Sequence, residues 1–172
     1  MITQSKLKKL LHYYPNTGEF TWLERKNNKR FNSLCAGSIA GSKCPNGYLI
    51  TSINNRSIRL HRLAFLYMEG RMPRYIDHKN RNKSDNSWDN LRECTASEST
   101  HNTGKKPNNK SGFKGVRWNK QCGKWQAIVK LNYKQYHAGL FECPKEAAIA
   151  YDKKAIELHG DFAQTNKMMG LL

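Results

Sequence analysis

Apolar positions recur along the chain at helical and at strand spacing, and the switches between the two mark its elements. Leu7, Leu10, Leu11 and Tyr14 stand at helical spacing and predict a helix over residues 5–14. Pro15-Asn16-Thr17-Gly18 then turns the chain into the alternating strand Glu19-Phe20-Thr21-Trp22. Residues 47–53 and 57–60 read as the arms of a hairpin across Asn54-Asn55, and residues 60–68 as a helix stopped by Gly70 and Pro73. A short strand over 75–78, a polar loop over 79–90 and a strand over 91–94 follow. The run Thr95-Ala96-Ser97-Glu98 has the form of a capping box and opens a helix that Gly104 ends.

The stretch 103–112 is all polar, Gly, Pro and Lys and reads as a linker. Beyond it come strands over 114–118, 124–131 and 134–140. A helix then opens at Pro144, carries Ala148, Tyr151, Ala155 and Leu158 on one stripe, and meets Gly160 past its end. In the middle strand Trp125, Ala127, Val129 and Leu131 share the face suited to a core, and Lys124, Gln126, Ile128 and Lys130 share the other. Gln126 and Lys130, with Arg117, Gln135 and His137 of the neighbouring strands, are expected on an open face. Small sheets and helices in two blocks make an α+β chain, with a first domain over 1–102, a linker over 103–112 and a second domain over 113–166.

Charge changes this picture from a fold to a class of partner. The 172 residues hold 30 Lys+Arg against 13 Asp+Glu, a formal net charge of +17. No acid occurs between Glu24 and Glu69 or between Glu98 and Glu142, whereas Asp77, Asp85, Asp89 and Glu93 gather in the middle. Such a field selects a polyanion, and nucleic acid is the default. No apolar run approaches the roughly 20 residues that cross a bilayer, so no membrane partner is expected. The first ten residues lack the pattern of a signal peptide. Cys35, Cys44, Cys94, Cys122 and Cys143 form no C-x-x-C pair, which suits reduced thiols in a cytoplasm.

The sharpest candidate for chemistry is Asp77-His78 at a strand end. A carboxylate can hold a divalent ion while the imidazole takes a proton from water, the two functions that phosphodiester hydrolysis needs. An isolated Asp-His pair is a weak signal, and structural histidines are the commoner case.

Longer runs carry a resemblance. His61-Arg62-Leu63, then Tyr75-Ile76-Asp77-His78-Lys79-Asn80-Arg81-Asn82, then Asp85 through Thr95, are similar to the HNH endonucleases of the phage homing type. Residues 111–118, Gly123-Lys124-Trp125-Gln126-Ala127-Ile128 and Ala147-Ala148-Ile149-Ala150-Tyr151-Asp152 resemble the ERF/APETALA-type DNA-binding domain. The first resemblance implies a ββα-metal core over about 74–102 with one divalent ion, Mg²⁺ or Mn²⁺. In it His78 is the general base, Asp77 a metal ligand and Asn90 the residue that braces the loop. The family's last ligand falls on Ser99, a departure from Asn or His, with Asn102 and His101 as stand-ins. The second resemblance implies a sheet that reads duplex DNA through Lys114, Arg117, Asn119, Lys130, Gln135 and His137, Arg117 being the choice for a base edge. Arg81, Lys83 and Arg92 flank the proposed centre and are candidates to clamp phosphates, the chain acting as a monomer on DNA.

The expected activity is therefore cleavage or nicking of DNA. The departure at Ser99 leaves open a binding regulator with a disabled centre, and a basic RNA-binding protein is the third reading.

Overall fold

The computed structural model describes residues 2–172, and its contacts divide the chain into one unit up to Glu93 and one from Cys94. Both are α+β.

The first unit runs α1 (Gln4–Leu10), β1 (Leu11–Tyr14), β2 (Glu19–Trp22), α2 (Lys29–Cys35), β3 (Ser42–Lys43), β4 (Leu49–Ile53), β5 (Arg56–Arg59), α3 (Leu60–Glu69), β6 (Ile76–His78) and β7 (Leu91–Glu93). The helix expected to reach Tyr14 ends at Leu10. Residues 11–14 instead pair antiparallel with β2, Leu11 opposite Trp22 and Tyr14 opposite Glu19. Two aromatic residues ahead of a Pro-Asn-Thr-Gly turn favour the hairpin, and burial alternates, with Leu11 and Tyr13 inside and His12 and Tyr14 outside. Tyr13 stacks on Phe20 at 4.6 Å between ring centroids.

β3, β4 and β5 form an antiparallel sheet in that order, and the β4–β5 turn places Asn54 and Asn55 at φ 52° and 59°. Those are the values of the tight hairpin turn that Asn favours. The chain passes from β5 directly into α3, which buries Leu60, Leu63, Ala64, Phe65 and Leu66 against Leu7, Leu11, Phe20 and Ile53. Each large side chain so buried contributes about 1.5–3 kcal/mol. Gly70 ends α3 in the left-handed region. α2, absent from the sequence reading, buries no residue. It rests on its Asn28 cap, on the Phe31–Trp22 ring contact at 5.6 Å, and on the Arg25 guanidinium 3.6 Å from the Phe31 ring centre.

The second unit runs α4 (Ala96–His101), β8 (Val116–Asn119), β9 (Lys124–Leu131), β10 (Lys134–Phe141) and α5 (Pro144–His159). The three strands form one antiparallel sheet with β9 central. Ala147, Ala148, Tyr151 and Ala155 of α5 pack on Val116, Ala127 and Val129. α4 is capped by Thr95 and Glu98 as expected but ends at His101, short of Gly104.

The division falls after Glu93 rather than at residue 102, because α4 is held from within the second unit. Lys114 Nζ donates to the His101 carbonyl at 2.9 Å, and the His101 ring lies parallel to that of His159 at 3.7 Å. The stretch 103–112 is no bare spacer, since Asn109 Nδ2 donates to the Phe113 carbonyl and Ser111 Oγ to that of Val116. Nor does this unit stop at residue 166. Asp152 accepts from the amides of Asn166 and Lys167, and Leu172 packs on the core. Among the described residues no helix is long and apolar enough to cross a membrane.

Gly18, at φ 76°, sits where an added Cβ would land on the backbone of Asn86 and Ser87. Gly37, at φ 78°, meets nothing within 4 Å. Both Ala variants carry backbone strain, and only Gly18→Ala adds a collision with backbone that cannot swing aside. Urea unfolding should show Gly37→Ala losing about 1 kcal/mol and Gly18→Ala at least about 2 kcal/mol. Equal losses would mean that the hairpin turn is not seated on the Asn86 loop.

Candidate active site and nucleic-acid interface

The 79–90 loop has little apolar surface to bury, so hydrogen bonds hold it. Asn90, buried at its end, accepts from the amide of Asn80 through Oδ1 at 2.9 Å and donates from Nδ2 to the Asp85 carbonyl at 2.8 Å. Asp85 caps the next turn by accepting from the amide and hydroxyl of Ser87, and it also accepts from Asn80 Nδ2. Burial pushes its carboxyl up, but those donors outweigh it and the pKa is lowered. From one side the Tyr13 hydroxyl donates to the Asn86 carbonyl at 2.7 Å and the Trp88 amide to that of Pro15. From another, Ser84 Oγ donates to the Gly47 carbonyl and Lys83 Nζ to that of Asn46.

This clamp fixes what faces His78, which ends β6 and is buried. Asn86, 1% exposed, donates from Nδ2 to the Ser84 carbonyl, and this turns its Oδ1 to within 3.4 Å of His78 Nε2. Facing an acceptor, Nε2 carries the ring proton and Nδ1 is the basic nitrogen. Burial lowers the pKa of His78, against the Asn86 bond and the nearby carboxylates, so the ring is neutral at physiological pH. Asn86 is the residue that sequence reasoning missed. It stands in a run of polar loop residues with no periodicity, and only the resemblance held a signal for it.

Asp77, the expected metal ligand, takes both Nε and Nη2 of Arg92 on its Oδ2, at 2.9 and 2.7 Å. Arg92, expected on phosphate, is therefore engaged with Asp77 across the β6–β7 ladder, where the two stand directly opposite. Among the described residues no group of three or more His, Cys, Asp or Glu could hold a metal ion. One carboxylate beside an imidazole does not make a zinc site. It does suit a hard cation that keeps its waters and takes substrate oxygens. Arg81 is exposed with φ 63°, a conformation that bulky residues rarely adopt, and Lys83 lies 4.9 Å from the Tyr48 ring centre. Ser99 and Asn102 both belong to the second unit, Ser99 half-buried inside α4 and Asn102 buried as its C-cap.

In the second unit the strand register puts Arg117, Asn119, Lys130, Gln135 and His137 on the face away from α5, as the alternation requires. Arg117, Lys130, Gln135 and His137 are exposed. Three expectations change. Lys114 lies outside the strands and spends its Nζ on the carbonyls of His101 and Gln164. Asn119 turns its Oδ1 onto the amides of Gln121 and Cys122 to close the β8–β9 turn. Gln126, expected in the open, is 8% exposed because Arg117 and His137 close over it from either side. Lys106, Lys110, Arg117, Lys130 and Gln135 share the lining of a cavity of about 700 Å³, so the 103–112 stretch adds its own charge to that face. Trp118 is half-exposed and meets Trp125 edge-on at 5.1 Å.

The family profile described as HNH endonuclease matches residues 59–101. Protein 3.8 of Escherichia phage T7 is 33% identical over 90 residues, 52% of this chain and 74% of that protein. A protein of Acanthamoeba polyphaga mimivirus, named as an uncharacterized HNH endonuclease, is 32% identical over 114 residues, 64% of this chain and 58% of its own length. APETALA2-like protein 2 of Oryza sativa subsp. indica is 45% identical over 58 residues, 33% of this chain and 13% of its length. No solved structure matches the chain.

His61 stands beside His78, with ring centroids 5.2 Å apart, and Tyr48 lies 5.1 Å from it. It is buried, and its Nδ1 has no hydrogen-bond partner. Burial, then the neighbouring His78, Arg59 and Arg62, push its pKa down to about 3. Between pH 6.5 and 3 the unfolded chain binds a proton at this position that the folded chain refuses. The stability of the first unit is thus complete above pH 6.5 and falls as pH drops through that window, by on the order of 4 kcal/mol at its lower end. Thermal melting from pH 7 to pH 4 should show a smaller fall in His61→Phe than in the unsubstituted protein. Parallel curves would remove His61 as the cause.

Proposed function

The chain belongs to the HNH endonuclease family, and from that premise we propose that it is a homing-type enzyme that hydrolyses phosphodiester bonds in double-stranded DNA with a divalent metal ion. The observation that carries this reading is His78, buried, neutral and oriented by Asn86, with the Asp77 carboxylate next to it in sequence. A neutral imidazole at the end of a strand, inside a basic protein, is placed for general-base work on a polyanion.

In this reading His78 takes a proton from a water molecule, and the resulting hydroxide oxygen attacks phosphorus. The bond to the 3′ oxygen breaks and that oxygen takes a proton from solvent, which leaves a 3′ hydroxyl and a 5′ phosphate. Asp77 would hold the divalent ion, Mg²⁺ or Mn²⁺. A bound ion neutralises charge developing on the leaving oxygen. Asn90 keeps the loop closed so that Asn86 stays on His78. Arg92 balances the Asp77 carboxylate until an incoming phosphate competes for its guanidinium. Residues 94–172 bind the duplex through the exposed sheet face, and the chain acts as a monomer. The APETALA2-like relative supports this assignment of the sheet.

A hydroxyl at position 99 favours one second reading, that of a DNA-binding regulator with a weakened centre. Conversion of supercoiled plasmid to nicked or linear form, with Mg²⁺, Mn²⁺ or EDTA, separates the two. The nuclease reading expects metal-dependent conversion that His78→Ala slows by at least about a hundredfold while DNA affinity is kept. Conversion by Ser99→Asn but not by the unsubstituted protein would establish the regulator. Conversion undiminished in His78→Ala would overturn the role of that residue.

A further inference from the structure

Across the exposed sheet face the side chains of Arg117, Gln126 and His137, one from each strand, form a hydrogen-bonded row. Arg117 Nε donates to Gln126 Oε1 at 3.1 Å, and Gln126 Nε2 lies 2.7 Å from His137 Nδ1. The direction of the row follows from chemistry alone. A guanidinium only donates, so the Gln126 atom facing it is the oxygen. The amide nitrogen then faces the imidazole and makes Nδ1 the acceptor, so the ring proton of His137 sits on Nε2. The fold builds the row on purpose-made geometry. Arg117 stands directly opposite Gln126, but His137 stands opposite Ile128 and reaches Gln126 on the diagonal. The register slips between His137 and Gly139, where Ala138 is the extra residue of a β-bulge. Gly139 takes φ 134° there, and a Cβ on it would crowd the Phe141 ring. Bulges re-aim side chains, and this one turns His137 along the sheet.

We propose that Gln126 is a positioning residue for base recognition: it locks Arg117 and His137 so that the row shows a duplex only donors and thereby selects guanine. This deepens the reading of residues 94–172 as a DNA-binding unit and rests on it. With Nε committed to Gln126, Arg117 presents its terminal nitrogens as a fork, and His137 presents Nε2–H beside it. Guanine alone offers two acceptors, N7 and O6, on its major-groove edge, whereas adenine and cytosine each place an amino donor there. A loose glutamine would offer donor and acceptor alike and choose poorly. Buried between its two partners, Gln126 has both ends occupied and contributes order rather than contact.

The test is selection from a library of duplexes with a randomised core, on the full-length chain in EDTA so that nothing is cut. Binding to unselected duplex DNA and thermal melting are measured alongside. The unsubstituted protein should enrich guanine, and Arg117→Ala should lose that enrichment. Gln126→Leu should lower the preference for guanine over adenine about tenfold at one position while affinity for unselected duplex changes less than twofold. Gln126→Glu should keep the preference, because a carboxylate accepts from Arg117 Nε and from the Nδ1–H of a doubly protonated His137, whose Nε2–H still donates. Should Gln126→Leu fail to fold, His137→Phe cuts the exposed end of the row and should lower guanine preference at the neighbouring position. Unchanged preference in folded Gln126→Leu or in His137→Phe, or no guanine in the sites the unsubstituted protein selects, overturns the proposal. A chain that binds no duplex at all overturns the DNA-binding reading beneath it.

Discussion

The arrangement around His78 depends on holding a polar loop in place without a hydrophobic core of its own. Residues 79–90 are chiefly Asn, Asp, Lys and Ser, and such a segment keeps one conformation only when its donors and acceptors are paired inside the protein. The fold meets that demand from both sides. The β1–β2 hairpin supplies the Tyr13 hydroxyl, the Pro15 carbonyl and the close seat of Gly18. The turn before β4 supplies the carbonyls of Asn46 and Gly47. Between them Asn86 becomes one of the most buried polar residues in the protein, and the tautomer of His78 follows from its orientation.

The same device recurs in the second unit at the scale of a sheet. Gln126 does for Arg117 and His137 what Asn86 does for His78: a buried amide with both ends engaged orients its neighbour. In each case the amide is buried. The charge of the chain is distributed to match. The exposed sheet face and the 103–112 stretch are basic, whereas Asp77 and Asp85 lie beside the neutral histidine, Asp77 with a guanidinium already on it.

Much of this was legible in the sequence wherever one residue forces a local geometry. Asn54-Asn55 dictated the hairpin turn, Thr95 and Glu98 the start of α4, Pro144 the start of α5, and Gly70 the end of α3. Alternation placed every strand of the second sheet. Periodicity misled at residues 11–14, because Leu7, Leu10, Leu11 and Tyr14 satisfy a helical spacing that the pairing of Tyr13 with Phe20 overrides. It was silent on α2, whose Leu34 is 71% exposed and leaves no apolar stripe to detect. It was silent again on Asn86 and on the burial of Gln126, since a polar residue buried by its hydrogen bonds carries no hydropathy signal. The Asp77–Arg92 pair was hidden for a different reason: it depends on the register of β6 with β7, and a loop of unknown path separates them.

The central claim is that the clamp on Asn86 orients His78 for proton transfer. It is tested most directly by the single-turnover rate of plasmid nicking at saturating protein in Tyr13→Phe, which removes one hydroxyl from the clamp and nothing from the site itself. Loss of that hydrogen bond should slow nicking about tenfold, the equivalent of roughly 1.4 kcal/mol, with DNA affinity unchanged. A rate equal to that of the unsubstituted protein would mean that His78 keeps its orientation without the clamp, and would contradict the account.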